Sequence, residues 1–471
     1  MAQHILPSNV PLSKKDIACY GIFGGGGFLL SYMMFGSLIL YYFTDILGIS
    51  MASAGVLLLV ARIWDGINDP LMGLLIDKTH TRWGKNRPYI FMGGILMAIF
   101  TVLLFTRPAV ESEGARLGWA YFTYIGYGMT YTMCTMSMGS LPSRLTTDRQ
   151  GVAKLSSAFF AGTGVMSVVA SFLLMTIITT FAGPDGDMAK GYQRTAIVAG
   201  LIVLVFSVLL SVLVKERGLE GENPAQIKLW PAIKAACTNK SFLGFLISEA
   251  IVLFGYYLSA GAIIYYCIYN LGGQDHYTPL LVCEYAMPLI AAFLVPFLLS
   301  KKVDYRKIIS FSIAMIAISY GLRYITGDAS AFWMTVLAAV GGLGFGCYNV
   351  LFVPIALDCA IYSEHETGMQ LQGFFTAANS VLGKGVGGLA AAFLAFFLEY
   401  IGYVEGAATQ TDRVLAGLKL CVTGGITVLA VVGLVTFLLT YKLKGEHLDK
   451  MNEENIANRN IVTERTSDSH E

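Results

Sequence analysis

Charge is scarce in this chain: Asp, Glu, Lys and Arg make up 13% of 471 residues, and the formal net charge is +1. No excess of either sign is available to attract a nucleic acid or an acidic macromolecule, so neither is expected as a partner. The eight cysteines contain no C-x-x-C spacing and lie mostly inside apolar runs, as Cys134, Cys283 and Cys421 do. They offer neither a disulfide framework nor a metal site. The opening segment through Lys14 and Lys15 lacks the apolar core of a cleavable signal peptide, so the first apolar run is expected to stay as a helix. The sequence sets no nucleophile beside a base, which argues against an enzyme, and no cofactor motif is present. The tail after Tyr441 is short and polar and is expected to be disordered, with little room for a signalling domain.

What is abundant is apolar: 55% hydrophobic residues and 51 glycines. A bilayer core needs about 20 apolar residues per helix, and polar loops divide the chain into twelve such stretches. The expected spans are 17–43, 53–77, 89–106, 119–142, 155–183, 196–214, 242–270, 279–299, 308–326, 331–362, 374–402 and 414–440. With a cytoplasmic N-terminus, most of the 32 Lys and Arg fall on the cytoplasmic side, as the positive-inside rule demands. The expectation is an all-α, multi-pass protein of the cytoplasmic membrane, in contact with lipid, with both termini cytoplasmic.

The expected organisation is an N-terminal six-helix half at 1–214, a cytoplasmic linker at 215–241, a C-terminal six-helix half at 242–440 and a polar tail at 441–471. The linker contains Pro224 and Pro231 and divides the helices six and six. A short internal repeat agrees with two halves: Tyr41-Tyr42 precede Leu47-Gly48, and Tyr265-Tyr266 precede Leu271-Gly272 at the same offset. Two parallel six-helix halves are the architecture of major-facilitator transporters.

An ionisable side chain at mid-bilayer costs at least about 2.5–3.5 kcal/mol, so it normally faces a cavity or a partner. The second span carries several together. Asp65 and Asp69 are four residues apart and share one helix face, with Asn68 three residues from Asp65. Two adjacent carboxylates in low dielectric repel, so one holds a proton or a cation sits between them. Oxygen ligands of this kind suit a small hard cation, sodium in particular. Pro70 weakens the helix here and can free carbonyls as further ligands. Arg62, one turn before Asp65, offers the alternative of a static ion pair, although it balances only one of the two acids.

Beyond this span, Asp77, Arg82 and Arg87 belong to a short basic turn, which reads either as a polar latch or as an ordinary positive-inside loop. Lys384 lies deep in an otherwise uncharged helix and calls for an acid or an anionic or hydroxyl-rich ligand; the alternative is a lysine that snorkels. Glu249, Glu284 and Asp358 are further buried acids. The run Gly24–Gly27 reads as close helix packing or as an unwound segment, with packing the default.

The stretch Ala61-Arg-Ile-Trp-Asp-Gly-Ile-Asn-Asp-Pro-Leu-Met-Gly73, continued by Thr81-Arg-Trp-Gly-Lys-Asn-Arg-Pro88, resembles the glycoside–pentoside–hexuronide:cation symporters. Tyr41-Tyr-Phe-Thr-Asp45, Gly128-Met-Thr-Tyr-Thr132 and Lys384-Gly385 extend the likeness through most of the membrane region. The resemblance implies a major-facilitator fold and uptake of a sugar or glycoside coupled to Na+ or H+. It assigns Asp65, Asn68, Asp69 and Thr132 to the coupling cation, and Tyr131, Asn379, Ser380 and Lys384 to the sugar pocket. Arg62, Asp77, Arg82 and Arg87 become gating candidates.

The chain departs from the family over the substrate. The first span has no acid between Gly21 and Tyr42, Thr135 stands for the acid of the fourth helix, and Gly139 stands for a tryptophan. Carboxylates accept strong hydrogen bonds from sugar hydroxyls, so the usual galactoside anchors are missing. An anionic sugar such as a uronide, or a non-sugar anion, becomes an alternative beside Lys384. A membrane sensor of the same fold that has lost transport is the remaining alternative.

Overall fold

The computed structural model describes residues 10–79, 81–146, 149–217, 234, 236–301, 303–326, 330–367, 372–443, 451 and 454. Most of the linker, including Pro224 and Pro231, and most of the tail after Tyr441 lie outside the described residues. Among the described residues the regular elements are helices, with one isolated bridge between Thr81 and Gly84.

Twelve long helical stretches follow one another among the described residues. They are α1 (Lys14–Ser37), α2 (Met51–Lys78), α3 (Arg87–Leu104), α4 (Glu113–Ser140), α5 (Arg149–Ala182) and α6 (Met188–Leu213). Then come α7 (Lys240–Tyr269), α8 (Tyr277–Ser300), α9 (Tyr305–Thr326), α10 (Ala331–Thr367), α11 (Gln372–Ile401) and α12 (Asp412–Thr440). Eleven are long and apolar enough to cross a membrane. The other, α4, has the length, at 28 residues, but carries a polar complement of Thr, Tyr, Ser and Gly. All twelve lie on the spans that apolar patterning marks off.

The first helix starts from a capping box: Ser13 Oγ accepts from the Asp16 N–H at 3.0 Å, and the Asp16 carboxylate accepts from the Ser13 N–H at 3.1 Å. It then widens into π turns over Tyr20–Gly25 before resuming as α-helix at Leu29. Both readings of the glycine-rich run are visible in this stretch. The helix is locally widened, and it also lies directly against α5. A Cβ on Gly25 would meet the Phe159 carbonyl, and one on Gly162 would meet the Gly21 carbonyl. Thr163 Oγ1 donates to the Gly25 carbonyl at 3.0 Å across the same contact.

The repeated Tyr-Tyr…Leu-Gly motif is a repeated helix ending. After α1, a further turn at Ile39–Tyr41 and a π turn at Tyr42–Ile46 close the helix. The Leu47 N–H donates to the Tyr42 carbonyl and the Ile49 N–H to the Phe43 carbonyl. After α7, the Leu271 N–H donates to the Tyr266 carbonyl and the Gly273 N–H to the Cys267 carbonyl. Both endings reverse direction at a glycine of positive φ, Gly48 at 71° and Gly272 at 83°. Glycine takes this left-handed conformation without the steric cost a side chain would bring.

The chain divides into two compact units. One comprises residues 1–222, 260–286 and 388–422, the other 223–259, 287–387 and 423–471. Helices α7, α8, α11 and α12 therefore each give one stretch to each unit. In the first unit, α3 packs against α4 and α6, α5 against α6 and the start of α1, and α2 against α4. In the second, α9 packs against α10 and α12 around Ile309, Ile313, Leu351, Ile355 and Phe437. Fully buried Arg323 places its guanidinium 4.5 Å from the Tyr320 ring centroid. Glu249 and Glu284 are buried, and Asp358 accepts from the Tyr441 hydroxyl at 3.1 Å.

The N-terminus of α3 is capped from far along the chain. Glu216, just beyond α6, accepts from the backbone N–H groups of Lys85, Asn86 and Arg87 at 2.8–2.9 Å. These are the donors a helix start leaves unpaired, and a carboxylate there also complements the positive end of the helix dipole. A Cβ on Gly84 would occupy the space of that carboxylate.

Candidate functional site

Helix α2 runs unbroken through Pro70, so Asp65, Asn68 and Asp69 keep the one-face arrangement that their spacing requires. Proline has no N–H to offer the carbonyl of Gly66, one turn earlier. Against this face lies α4. Thr132 Oγ1 donates to Asp69 Oδ1 at 2.9 Å. One turn earlier on α4, a Cβ on Gly128 would stand 3.1 Å from Asp65 Oδ1. Gly128 and Thr132 thus repeat the four-residue spacing of Asp65 and Asp69, and each residue of one pair meets one of the other.

Gly128 is absent from the residues that sequence reading assigns to the cation. Its signal was the matched i, i+4 interval on the two helices, which carries meaning only once those helices are known to face each other.

Asn68 is 4% exposed, and its Nδ2 finds no hydrogen-bond partner among the described residues. The cluster therefore combines two carboxylates, a threonine hydroxyl and a carboxamide. All present oxygen, the donor set of a small hard cation.

Arg62 Nη1 stands 3.3 Å from Asp65 Oδ2, with both side chains partly shielded. The ion pair anticipated as an alternative is thus formed on Asp65, while Asp69 receives Thr132. The stem of Arg62 passes over Gly388 of α11, where a Cβ would collide with Arg62 Cγ.

The gating candidates separate. Arg82 is exposed, and the Asp77 side chain lies outside the described residues. Arg87 is buried at 4% exposure: its Nε donates to the Ser211 carbonyl at 2.6 Å and its Nη1 to the Trp83 carbonyl at 3.1 Å. It ties the start of α3 to the end of α6.

The substrate candidates also separate. Tyr131 and Thr135 line one cavity of about 520 Å³ together with Tyr32 and Gly139. Lys384 is half-buried on α11 in the second unit. Asn379 and Ser380 sit on the same helix, but their side chains lie outside the described residues. Tyr32 was not marked by the sequence, where it is one of 25 tyrosines.

A further cluster closes the far end of α1. The Asp45 carboxylate accepts from the Tyr403 hydroxyl at 2.8 Å, from the Gly406 N–H at 3.1 Å and from Thr44 Oγ1 at 2.7 Å. Thr44 Oγ1 in turn lies 3.1 Å from the Tyr265 hydroxyl. Burial raises the Asp45 carboxyl above its ordinary value, against the opposing effect of these hydrogen bonds.

Comparison with known proteins agrees with this architecture. A family model described as MFS/sugar transport protein matches residues 19–445. An isoprimeverose transporter of Lactiplantibacillus pentosus is 29% identical over 408 residues, covering 86% of this chain and 82% of the relative. A putative glycoside/cation symporter of Escherichia coli strain K12 is 26% identical over 467 residues, covering 97% of this chain and 98% of the relative. Among solved structures, a bacterial homologue of the human lysosomal transporter Spinster superposes with a TM-score of 0.64 at 13% identity. That match covers 93% of this chain and 97% of the other. The fold is the all-α major facilitator fold.

Proposed function

The chain belongs to the MFS/sugar transport protein family, a family of carriers and not of enzymes, and on that premise we propose that it is a cation-coupled symporter of a sugar or glycoside. It works by alternating access in the cytoplasmic membrane, with both termini cytoplasmic. The observation that carries the coupling is the meeting of Asp69 with Thr132 beside Asp65. Two helices bring their polar faces together where each alone would bury charge at a cost of several kcal/mol.

In this reading Asp65, Asn68, Asp69 and Thr132 supply oxygen to Na+, or one carboxylate takes H+. Arg62 holds Asp65 when the cation is away. Arrival of the cation offsets the mutual repulsion of the two neighbouring carboxylates. That lowers the electrostatic cost of closing the protein around it and so favours the substrate-loaded form. Linkage then requires the substrate to tighten cation binding by the same factor.

The test is uptake into proteoliposomes of the purified carrier across a panel of labelled glycosides, with an imposed sodium or proton gradient. Accumulation that collapses with the gradient and is lost in Asp69→Asn is the expected result. No gradient-driven accumulation of any glycoside would overturn the reading.

A further inference from the structure

The cavity of about 520 Å³ is of a size typical for small-molecule sites, roughly 300–1,000 Å³. No Asp, Glu, Lys, Arg or His is among the described residues that line it. Its hydroxyls fall into two groups. Tyr20 donates to the Met138 carbonyl at 2.9 Å, Thr163 to the Gly25 carbonyl at 3.0 Å and Thr135 to the Tyr131 carbonyl at 2.9 Å. These are satisfied within the protein. The hydroxyls of Tyr32, Tyr131 and Ser156 make no hydrogen bond among the described residues and are free to serve a ligand.

One wall is an aromatic stack. Tyr32 and Tyr131 lie at 5.3 Å between centroids with their planes 18° apart, and Tyr131 stacks in turn on Tyr127 at 6.2 Å and 13°. Tyr127 is braced by Phe35 at 4.3 Å and by Ser31, whose hydroxyl donates to its own at 3.1 Å. The column is held from behind, while Tyr32 at its end is 41% exposed.

A carboxylate entering this space would give up its hydration with no cationic side chain among the described lining residues to meet it. A neutral sugar ring brings apolar C–H faces that suit an aromatic wall and hydroxyls that suit neutral partners. We propose that this cavity seats an uncharged glycosyl ring, stacked on Tyr32 and Tyr131 and hydrogen-bonded by neutral hydroxyls, so that the carrier favours neutral glycosides over hexuronides. The inference rests on the symporter reading and names its substrate class. It makes Tyr32 a specificity residue. Thr135 becomes the position where an ionic anchor has given way to a satisfied hydroxyl.

The test uses the purified full-length carrier in detergent and follows its thermal midpoint with methyl and 4-nitrophenyl glycosides of glucose, galactose and xylose, and with the matching glucuronides. The expected result is saturable stabilisation by at least one neutral glycoside and none by the glucuronides. Half-saturation should move up about tenfold in Tyr32→Ala, the size of a lost aromatic contact. In Gly139→Leu the stabilisation should vanish. A Cβ at Gly139 meets nothing within 4 Å, so the added side chain has room to start into the cavity, and a ligand-free midpoint no lower than that of the wild type checks that the variant folds. Equal stabilisation by glucuronides, full binding in Gly139→Leu, or no response to any neutral glycoside would overturn the proposal. Binding without gradient-driven uptake would sink the symporter reading and leave the seat standing. Gradient-driven uptake with a preference for glucuronides would do the reverse.

Discussion

Tyr41 and Tyr265, which occupy equivalent positions in the two repeated helix endings, meet edge to face with ring centroids 5.5 Å apart and planes at 75°. Tyr265 also meets Tyr403 edge to face at 5.4 Å. The aromatic cluster thus continues into the polar one, where the Tyr403 hydroxyl donates to Asp45.

Asp45 gives this clasp a pH dependence of defined sign. Its carboxyl is raised above the ordinary value of 3.8 by burial, with neighbouring Glu405 adding to the rise. An acid raised in the clasped form binds its proton more tightly there than in water, so the proton favours the clasp. That contribution is complete below the ordinary value and is lost as pH rises through the raised one. Thermal midpoints measured across acidic and neutral pH should therefore fall with rising pH more steeply in the wild type than in Asp45→Asn. Parallel profiles for the two proteins would refute the assignment.

The contact between Thr132 and Asp69 should be visible in ion affinity. Thr132→Val keeps the shape and removes a hydrogen bond to a charged group, worth about 1.5–3 kcal/mol, so the apparent affinity for the coupling ion should fall on the order of tenfold or more. Thr132→Ser, which keeps the hydroxyl, should recover most of it. The reading is the cation concentration that gives half-maximal uptake in proteoliposomes.

Glu216 is a stability residue that a mutational scan should find. It is 2% exposed and serves three backbone N–H groups. Glu216→Ala strands those donors at a cost of about 1–3 kcal/mol, and Glu216→Gln should fall between that variant and the wild type. Detergent melting curves would show the order; an unchanged midpoint in Glu216→Ala would contradict the cap.

Helix packing predicts one severe glycine substitution. A Cβ on Gly162 would enter the space of the Gly21 carbonyl, a backbone atom that cannot rotate away. Gly162→Val should therefore destabilise by at least about 1–3 kcal/mol, the usual cost of overpacking. Gly183→Ala tests a different strain, because nothing crowds that site but its φ is +74°. A smaller loss is expected there, and fluorescence-detected size-exclusion yields would rank the two.

Much of this was legible beforehand. Apolar runs locate the helices because lipid leaves a crossing segment almost no other choice of backbone structure. Asp65, Asn68 and Asp69 declare one helix face by spacing alone. The Tyr-Tyr…Leu-Gly repeat announces two equivalent helix endings, glycines included. Other features were hidden for a physical reason. The role of Gly128 depends on which helix lies beside α2, and that of Glu216 on a contact across 130 positions of chain. Arg87 sits in a run of basic residues that looks like any positive-inside loop, yet it is buried and Arg82 is exposed.

By itself, then, the sequence determined the solvent of this protein, the number and order of its helices and the presence of a carboxylate pair inside one of them. All of these follow from local composition and from the periodicity of a single helix. Only the tertiary structure decided which oxygen meets Asp69, which cation leans on Asp65 and which tyrosines form the wall of a cavity whose described lining residues carry no charge. Those outcomes depend on the neighbours and rotation of each helix, which are set by side chains far apart in the chain.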